Sequence, residues 1–116
     1  MVDKCEEASA DLNKSLEIKP NNTWELSSRG NVYCTMNKCE EALVDLNKSL
    51  EIDPSDAFAL RSRGVIYYMM KRYEEALADF NKLLEIKPNY SWALNNRGEV
   101  YSTMKRYEEA LADFNK

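Results

Sequence analysis

Seven ionisable residues recur along this chain with alternating sign: Asp11, Arg29, Asp45, Arg63, Asp79, Arg97 and Asp113. A guanidinium beside a carboxylate can hold an anion or tune a catalytic acid, and its planar fork of donors can bridge two carboxylates at once. Each arginine, however, falls inside an apolar stripe, where an unpaired charge is costly to desolvate. The pattern therefore reads as an internal charge ladder of Arg29, Asp45, Arg63, Asp79, Arg97 and Asp113 that fixes helix register. Four acidic pairs, Glu6-Glu7, Glu40-Glu41, Glu74-Glu75 and Glu108-Glu109, could supply two carboxylates for acid-base work. They recur without an accompanying base and stand where helices begin, so they read as charges that favour the positive end of the helix dipole.

Other chemistry is thinly provided. The chain has no histidine, the commonest general base and transition-metal ligand. Its three cysteines, Cys5, Cys34 and Cys39, are odd in number and lack CxxC spacing, which indicates neither a disulfide framework nor a metal knuckle. No catalytic, cofactor-binding or metal residue is assigned, no cofactor is implied, and an enzyme is not expected. A net charge of -4 argues against nucleic acid as a partner, because phosphate recognition needs clustered Lys and Arg.

The elements that carry these residues repeat with a period of 34: Gly30, Gly64 and Gly98; Tyr33, Tyr67 and Tyr101; Pro20, Pro54 and Pro88. A fixed period in this range marks a stacked array whose units bury their apolar faces against their neighbours. Each period holds two helical patterns. In the middle one, Leu60, Arg63, Gly64, Tyr67 and Met70 share one face, and Tyr73, Ala76, Leu77, Phe80, Leu83 and Leu84 share another. The two stripes should pack as an antiparallel pair, with the glycine removing a side chain at the closest approach. Prolines end every second helix. Asn22-Thr23-Trp24-Glu25 has capping-box spacing with Asn22 as the cap, and Ser55 and Asn89 are the expected caps later on. The pattern predicts helices over 3–18, 22–36, 39–52, 56–70, 73–86, 90–104 and 107–116.

These residues resemble the tetratricopeptide repeat family, with its Gly, Tyr, Ala, Phe and Pro at set offsets in 34 residues. Gly30, Tyr33, Ala42 and Pro54 meet the pattern in one repeat, Gly64, Tyr67, Ala76, Phe80 and Pro88 in the next, and Gly98, Tyr101, Ala110 and Phe114 in the last. Leu26, Leu60 and Leu94 replace the family's tryptophan, Arg29, Arg63 and Arg97 replace its leucine before the glycine, and Ser49 and Leu83 replace a late alanine. The fold class implied is all-α, a right-handed α-solenoid of antiparallel helix pairs with about seven helices. The domain reading is one array over 1–116: a lone second helix at 1–22, repeats at 23–56 and 57–90, and a truncated repeat at 91–116.

Across the copies the packing stripe of each first helix keeps Leu, Arg, Gly, Tyr and Met, while the opposite stripe changes. It reads Ser27, Ser28, Asn31, Cys34, Thr35, then Arg61, Ser62, Val65, Tyr68, Met69, then Asn95, Asn96, Glu99, Ser102, Thr103. In the resembling family this face lines the concave groove that holds peptides. The candidate groove residues are Asn31, Arg61, Val65, Tyr68, Met69, Asn95, Asn96 and Glu99, with Arg61, Val65, Tyr68 and Met69 as an adaptable cationic and apolar centre. Trp24, Phe58 and Trp92 continue the stripe and are expected to serve packing. Some family members grip a chaperone's C-terminal carboxylate through Lys, Asn and Arg. The matching positions here are Ser27, Asn31, Ser62, Trp92 and Asn96, of which only Asn31 fits.

The expected function is a protein-protein interaction scaffold that holds a peptide in that groove. The alternative is a structural spacer or self-associating fragment, designed or natural, without a dedicated ligand. The charged N-terminus does not read as a signal peptide, and the longest apolar run, Val65 to Met70, is too short to span a bilayer. A cytoplasmic protein in a reducing compartment is expected, with no membrane partner and with self-association through exposed array ends.

Overall fold

Proline sets the spacing of the helices. In the computed structural model, which describes residues 4–115, helices α1 (Lys4–Ile18), α3 (Cys39–Ile52) and α5 (Tyr73–Ile86) each stop just before a proline. Helices α2 (Thr23–Thr35), α4 (Ala57–Met69), α6 (Ser91–Thr103) and α7 (Tyr107–Phe114) complete the set, and no strand occurs among the described residues. These spans match the expected helices to within two residues. The expected ends at residues 3 and 116 lie outside the described residues.

The caps correct the sequence expectation. Asn22 Oδ1 accepts from Glu25 N at 3.2 Å, as predicted. The cap of α4 is Asp56 rather than Ser55: its Oδ1 accepts from Phe58 N and Ala59 N at 3.1 and 3.3 Å. In α6 the cap is Tyr90 rather than Asn89, and its side chain makes no capping bond. The cap thus falls two residues after the proline in every copy, whatever residue stands there. The capping box at Asn22 is only half made. Asn22 N donates to Lys19 O, while Glu25 Oε2 is buried without a hydrogen-bond partner.

Inside each antiparallel pair the turn needs one left-handed residue. Asn37, Lys71 and Lys105 supply it with φ of 62°, 63° and 63°. Each turn is closed by a backbone bond, from Lys38 N to Tyr33 O at 2.8 Å, Arg72 N to Tyr67 O at 2.8 Å and Arg106 N to Tyr101 O at 2.7 Å. This is the helix-terminating geometry in which glycine or asparagine is the unstrained choice.

The chain divides into two compact units, Met1–Ser62 and Arg63–Lys116. In the first, α2 packs against both α1 and α3. Its buried residues include Leu16, Leu26, Ala42, Leu43, Leu46 and Leu50. In the second, α6 packs against both α5 and α7. Its core is Ala76, Leu77, Phe80 and Val100, flanked by Val65, Tyr67, Tyr68, Tyr73, Trp92, Tyr101 and Met104. The repeated glycine lies where the pairs touch. A Cβ on Gly64 would stand 2.7 Å from Phe80 Cε1, and one on Gly98 would stand 2.7 Å from Phe114 Cε1.

Candidate functional site

Three pairs of the alternating charges meet as two-bond forks. Arg63 Nε and Nη2 donate to Asp79 Oδ2 and Oδ1 at 2.8 and 2.6 Å. The same fork joins Arg29 to Asp45 at 2.7 and 2.6 Å, and Arg97 to Asp113 at 2.7 and 2.5 Å. The expectation that each guanidinium bridges two carboxylates is corrected at Arg29 and Arg97. Their Nη1 donates to an asparagine, Asn13 at 2.8 Å and Asn81 at 2.9 Å, and Asp11 lies exposed. The cause is helix rotation. Residues two apart on a helix point about 200° away from each other, so Asp79 turns toward α4 while Asn81 turns toward α6.

Charge and burial act against each other in these forks. The hydrogen bond it donates to its aspartate raises each arginine above its already high value, with burial opposing. Burial pushes the Asp79 carboxyl up, against the hydrogen bonds and charge of Arg63. The short two-bond geometry favours the ionised form of the pair. Tyr67 adds to the hold: Arg63 and Arg72 lie 5.7 and 4.7 Å from its ring centroid. At Arg29 and Arg97, Nε, Nη1 and Nη2 each donate to a side chain of the fold.

The acidic pairs are first-turn residues, as expected. Glu75 pairs with Arg72 and Glu109 with Arg106. No cysteine is bridged, and Cys34 has its thiol pushed up by burial and then by Cys39. Among the described residues no group of three or more Cys, Asp or Glu is placed to hold a metal, and no helix is long and apolar enough to cross a membrane.

The variable faces of the first helices are more differentiated than the sequence suggests. In the first unit Asn31 and Arg61 are exposed on α2 and α4. Ser27 is fully buried, with its Oγ 2.9 Å from Ser49 Oγ, so it belongs to the core and not to the variable surface. Pairing these two hydroxyls is what makes the Ser49 departure from alanine tolerable. Trp24 also departs from the packing role expected of it: it is 68% exposed, its ring 6.0 Å from that of Phe58. Trp92, at the equivalent position of the second unit, meets Phe80 edge-on at 5.8 Å and is partly buried. Helix α1 carries Leu12 where α5 has Phe80, which leaves Trp24 without the ring that anchors Trp92.

In the second unit a short polar link joins α4 to α6. Tyr68 Oη lies 3.0 Å from Thr103 Oγ1, which donates to Glu99 O at 2.9 Å. Tyr68 packs edge-on against Tyr73 at 5.7 Å, and Val65 and Tyr68 lean on the core. These two are half committed to the fold. Met69, Asn95 and Glu99 are exposed, whereas the Asn96 amide donates to Trp92 O at 2.7 Å.

The family described as Tetratricopeptide repeat matches residues 56–116, and that described as TPR repeat matches residues 30–71. No curated protein matches the chain at a significant level. Among solved structures, MamA superposes with a TM-score of 0.91 at 20% identity, over 96% of this chain and 61% of its own. A tetratricopeptide repeat protein of Parabacteroides merdae gives 0.89 at 27% identity, over 96% and 44%. The first TPR of Spaghetti (RPAP3), bound to an HSP90 peptide, gives 0.85 at 25% identity, over 88% and 81%. The chain thus spans about three-fifths of MamA, and at that identity the likeness concerns the fold alone.

Proposed function

The chain belongs to the tetratricopeptide repeat family, and from that premise we propose that it is a protein-protein interaction module, not an enzyme, that binds peptide segments on the variable faces of its first helices. The observation that carries this reading is the contrast between faces. The arginine, glycine and tyrosine that pack each pair are the same in all copies, while the exposed positions differ in charge, size and polarity. Packing alone would not require such divergence at exposed positions and identity at covered ones. A structural neighbour at 25% identity holds a peptide, which supports the ligand class.

In the second unit the contact residues are Met69, Asn95 and Glu99, with Val65, Tyr68 and Asn96 behind them. The methionine adapts to shape, and the amides hydrogen-bond an extended backbone. In the first unit the contact residues are Asn31 and Arg61, with the exposed Trp24 as a further apolar contact. The sequence alone did not assign Trp24; its exposure is the signal for it.

The test uses two residues exposed on α4. Arg61→Glu and Met69→Asp should keep the helical circular dichroism of the parent and each lower capture of a binding peptide at least about tenfold. Tyr68→Ala is a poorer probe, because that ring also packs on Tyr73. Retention of full affinity in both variants would refute the assignment.

A further inference from the structure

Two of the three cysteines stand at the same level of one helix pair. Helices α2 and α3 approach closely at Gly30, where a Cβ would lie 3.2 Å from Ala42 O. From that contact Cys34 lies four residues on along α2, and Cys39 lies three residues back along α3. In an antiparallel pair both steps are about one turn toward the connecting turn, so the two side chains arrive on one side of the pair at one height. Ideal helices with axes about 8–10 Å apart place those α-carbons about 5–7 Å apart, the lower end suiting a glycine contact. A disulfide spans about 4.4–6.8 Å between α-carbons.

The same convergence is seen in the second unit. Its turn is closed by Lys71 N to Tyr68 O at 3.0 Å and Arg72 N to Tyr67 O at 2.8 Å, where the first has Asn37 N to Cys34 O at 3.0 Å and Lys38 N to Tyr33 O at 2.8 Å. Tyr68 and Tyr73, at the positions of Cys34 and Cys39, bring their rings together at 5.7 Å. The third copy has Ser102 and Tyr107 there, so one copy alone presents two thiols. Both thiols are free and half-buried. Burial and then Cys39 push the Cys34 thiol up, and the second influence requires the two sulfurs to be near each other.

We propose that Cys34 and Cys39 form a reversible disulfide by exchange with a small disulfide such as oxidised glutathione, locking the turn between α2 and α3. The thiolate of one cysteine attacks a reagent sulfur, which forms a mixed disulfide and expels one reagent thiolate. The thiolate of the other cysteine then attacks the protein sulfur of that mixed disulfide and expels the second. The S–S bond of the reagent breaks and one between Cys34 and Cys39 forms. The protein gives up two electrons and two protons, and the reagent leaves as two thiols. The proposal concerns one turn of the first unit and does not depend on the peptide-binding reading.

The reduced full chain is equilibrated with oxidised and reduced glutathione, quenched with acid, and alkylated under denaturing conditions for mass spectrometry. Expected is a loss of two hydrogens with one alkylated thiol left of the three, the link mapping to Cys34 and Cys39 after proteolysis. Cys5→Ser should form the same link, while Cys34→Ser should give only free thiols or glutathione adducts. Because the fold holds the two sulfurs together, half-oxidation of the native chain should need an oxidised-to-reduced glutathione ratio at least about fivefold lower than in denaturing urea. The oxidised chain should keep its helical circular dichroism and melt no lower than the reduced one. Glutathione adducts without a link, a link through Cys5, a link between two chains, a lowered melting point, or a native chain oxidised no more readily than the unfolded one overturns the proposal.

Discussion

Gly64→Ala and Gly98→Ala are the same substitution in the same repeat position, yet they should differ in sign or nearly so. A Cβ on Gly64 would lie 2.7, 3.1 and 3.1 Å from Cε1, Cδ1 and Cζ of Phe80. Unstrained carbon contacts fall near 3.5–4.0 Å, so the ring would have to retreat by almost an ångström. It has nowhere to go: Phe80 is only 1% exposed, and Trp92 stands against it. Overpacking of this kind costs about 1–3 kcal/mol, while replacing a mid-helix glycine by alanine returns about 1 kcal/mol. The net expectation for Gly64→Ala is a destabilisation of about 0–2 kcal/mol on those two figures, in the upper half of that range because the ring cannot retreat.

At Gly98 the clash is equally short, at 2.7 Å to Phe114 Cε1, but Phe114 is 43% exposed and ends α7. That ring can swing outward, so the helix-propensity gain should roughly cancel the contact and leave Gly98→Ala within about 0.5 kcal/mol of the parent. Urea titrations followed by circular dichroism at constant m would report the difference as a shift in midpoint. Thermal melts should separate the two variants by about 3–6 °C per kcal/mol, between the values for smaller and larger domains. If Gly64→Ala proved as stable as Gly98→Ala, closest approach would not be the reason for glycine here, and the argument from Phe80 would fall.

Three further outcomes follow from single contacts. Glu25→Ala should stabilise the chain by about 1 kcal/mol, because it removes a buried carboxylate oxygen without a partner and installs the residue that stands, fully buried, at positions 59 and 93; a lowered urea midpoint would count against it. Arg63→Ala should destabilise by about 2–3 kcal/mol at neutral pH, less than a fully buried pair because the guanidinium side chain is 23% exposed. Burial already holds the Asp79 carboxyl above its unfolded value, and loss of Arg63 removes what pulls it down. The variant's deficit should therefore be smallest below the unfolded carboxylate value and grow as pH rises through the folded one, and titrations at pH 4 and pH 7 that gave equal deficits would contradict this. Lys71→Gly should stabilise by about 0.5–1 kcal/mol by relieving a left-handed residue at φ 63°, with a smaller gain for Asn37→Gly because asparagine tolerates that region. Equal gains at the two sites, read from thermal melts, would speak against backbone strain as the cause.

The helices were legible in the sequence because each apolar stripe is bounded by proline on one side and a polar turn on the other. The caps were less so, since Ser55 and Asn89 are good cap formers by type. The structure instead keeps a fixed offset from the proline, and carrying the register of Asn22 forward would have found Asp56 and Tyr90. The forks were legible as Arg and Asp that must pair. Their third contacts were not, because alternation of sign along the chain hides that Asp and Asn two residues apart face different helices. On the variable face, Ser27 and Tyr68 were assigned to the surface by helical spacing, yet Ser27 is drawn inward by Ser49 and Tyr68 is held by Tyr73 and Thr103. Spacing reports which side of a helix a residue occupies, not what comes to cover it.

That distinction governs the tryptophans as well, and it bears on where binding is to be sought. Trp24 and Trp92 occupy the same position of matching copies, and any repeat-wise inference must give them one role. Trp92 is held because Phe80 offers an edge and Tyr90 stacks beside it at 5.9 Å. Trp24 has Leu12 and Asn22 at the corresponding positions and stays 68% exposed. A large apolar ring kept in water in one copy and half-buried in the other is not a requirement of the repeat. Trp24→Ala should therefore leave the urea midpoint within about 0.5 kcal/mol of the parent while weakening peptide capture by the first unit, whereas Trp92→Ala, at a half-buried ring, should cost about 1–3 kcal/mol. Comparable losses of stability in the two variants would return Trp24 to the packing role that its spacing first suggested.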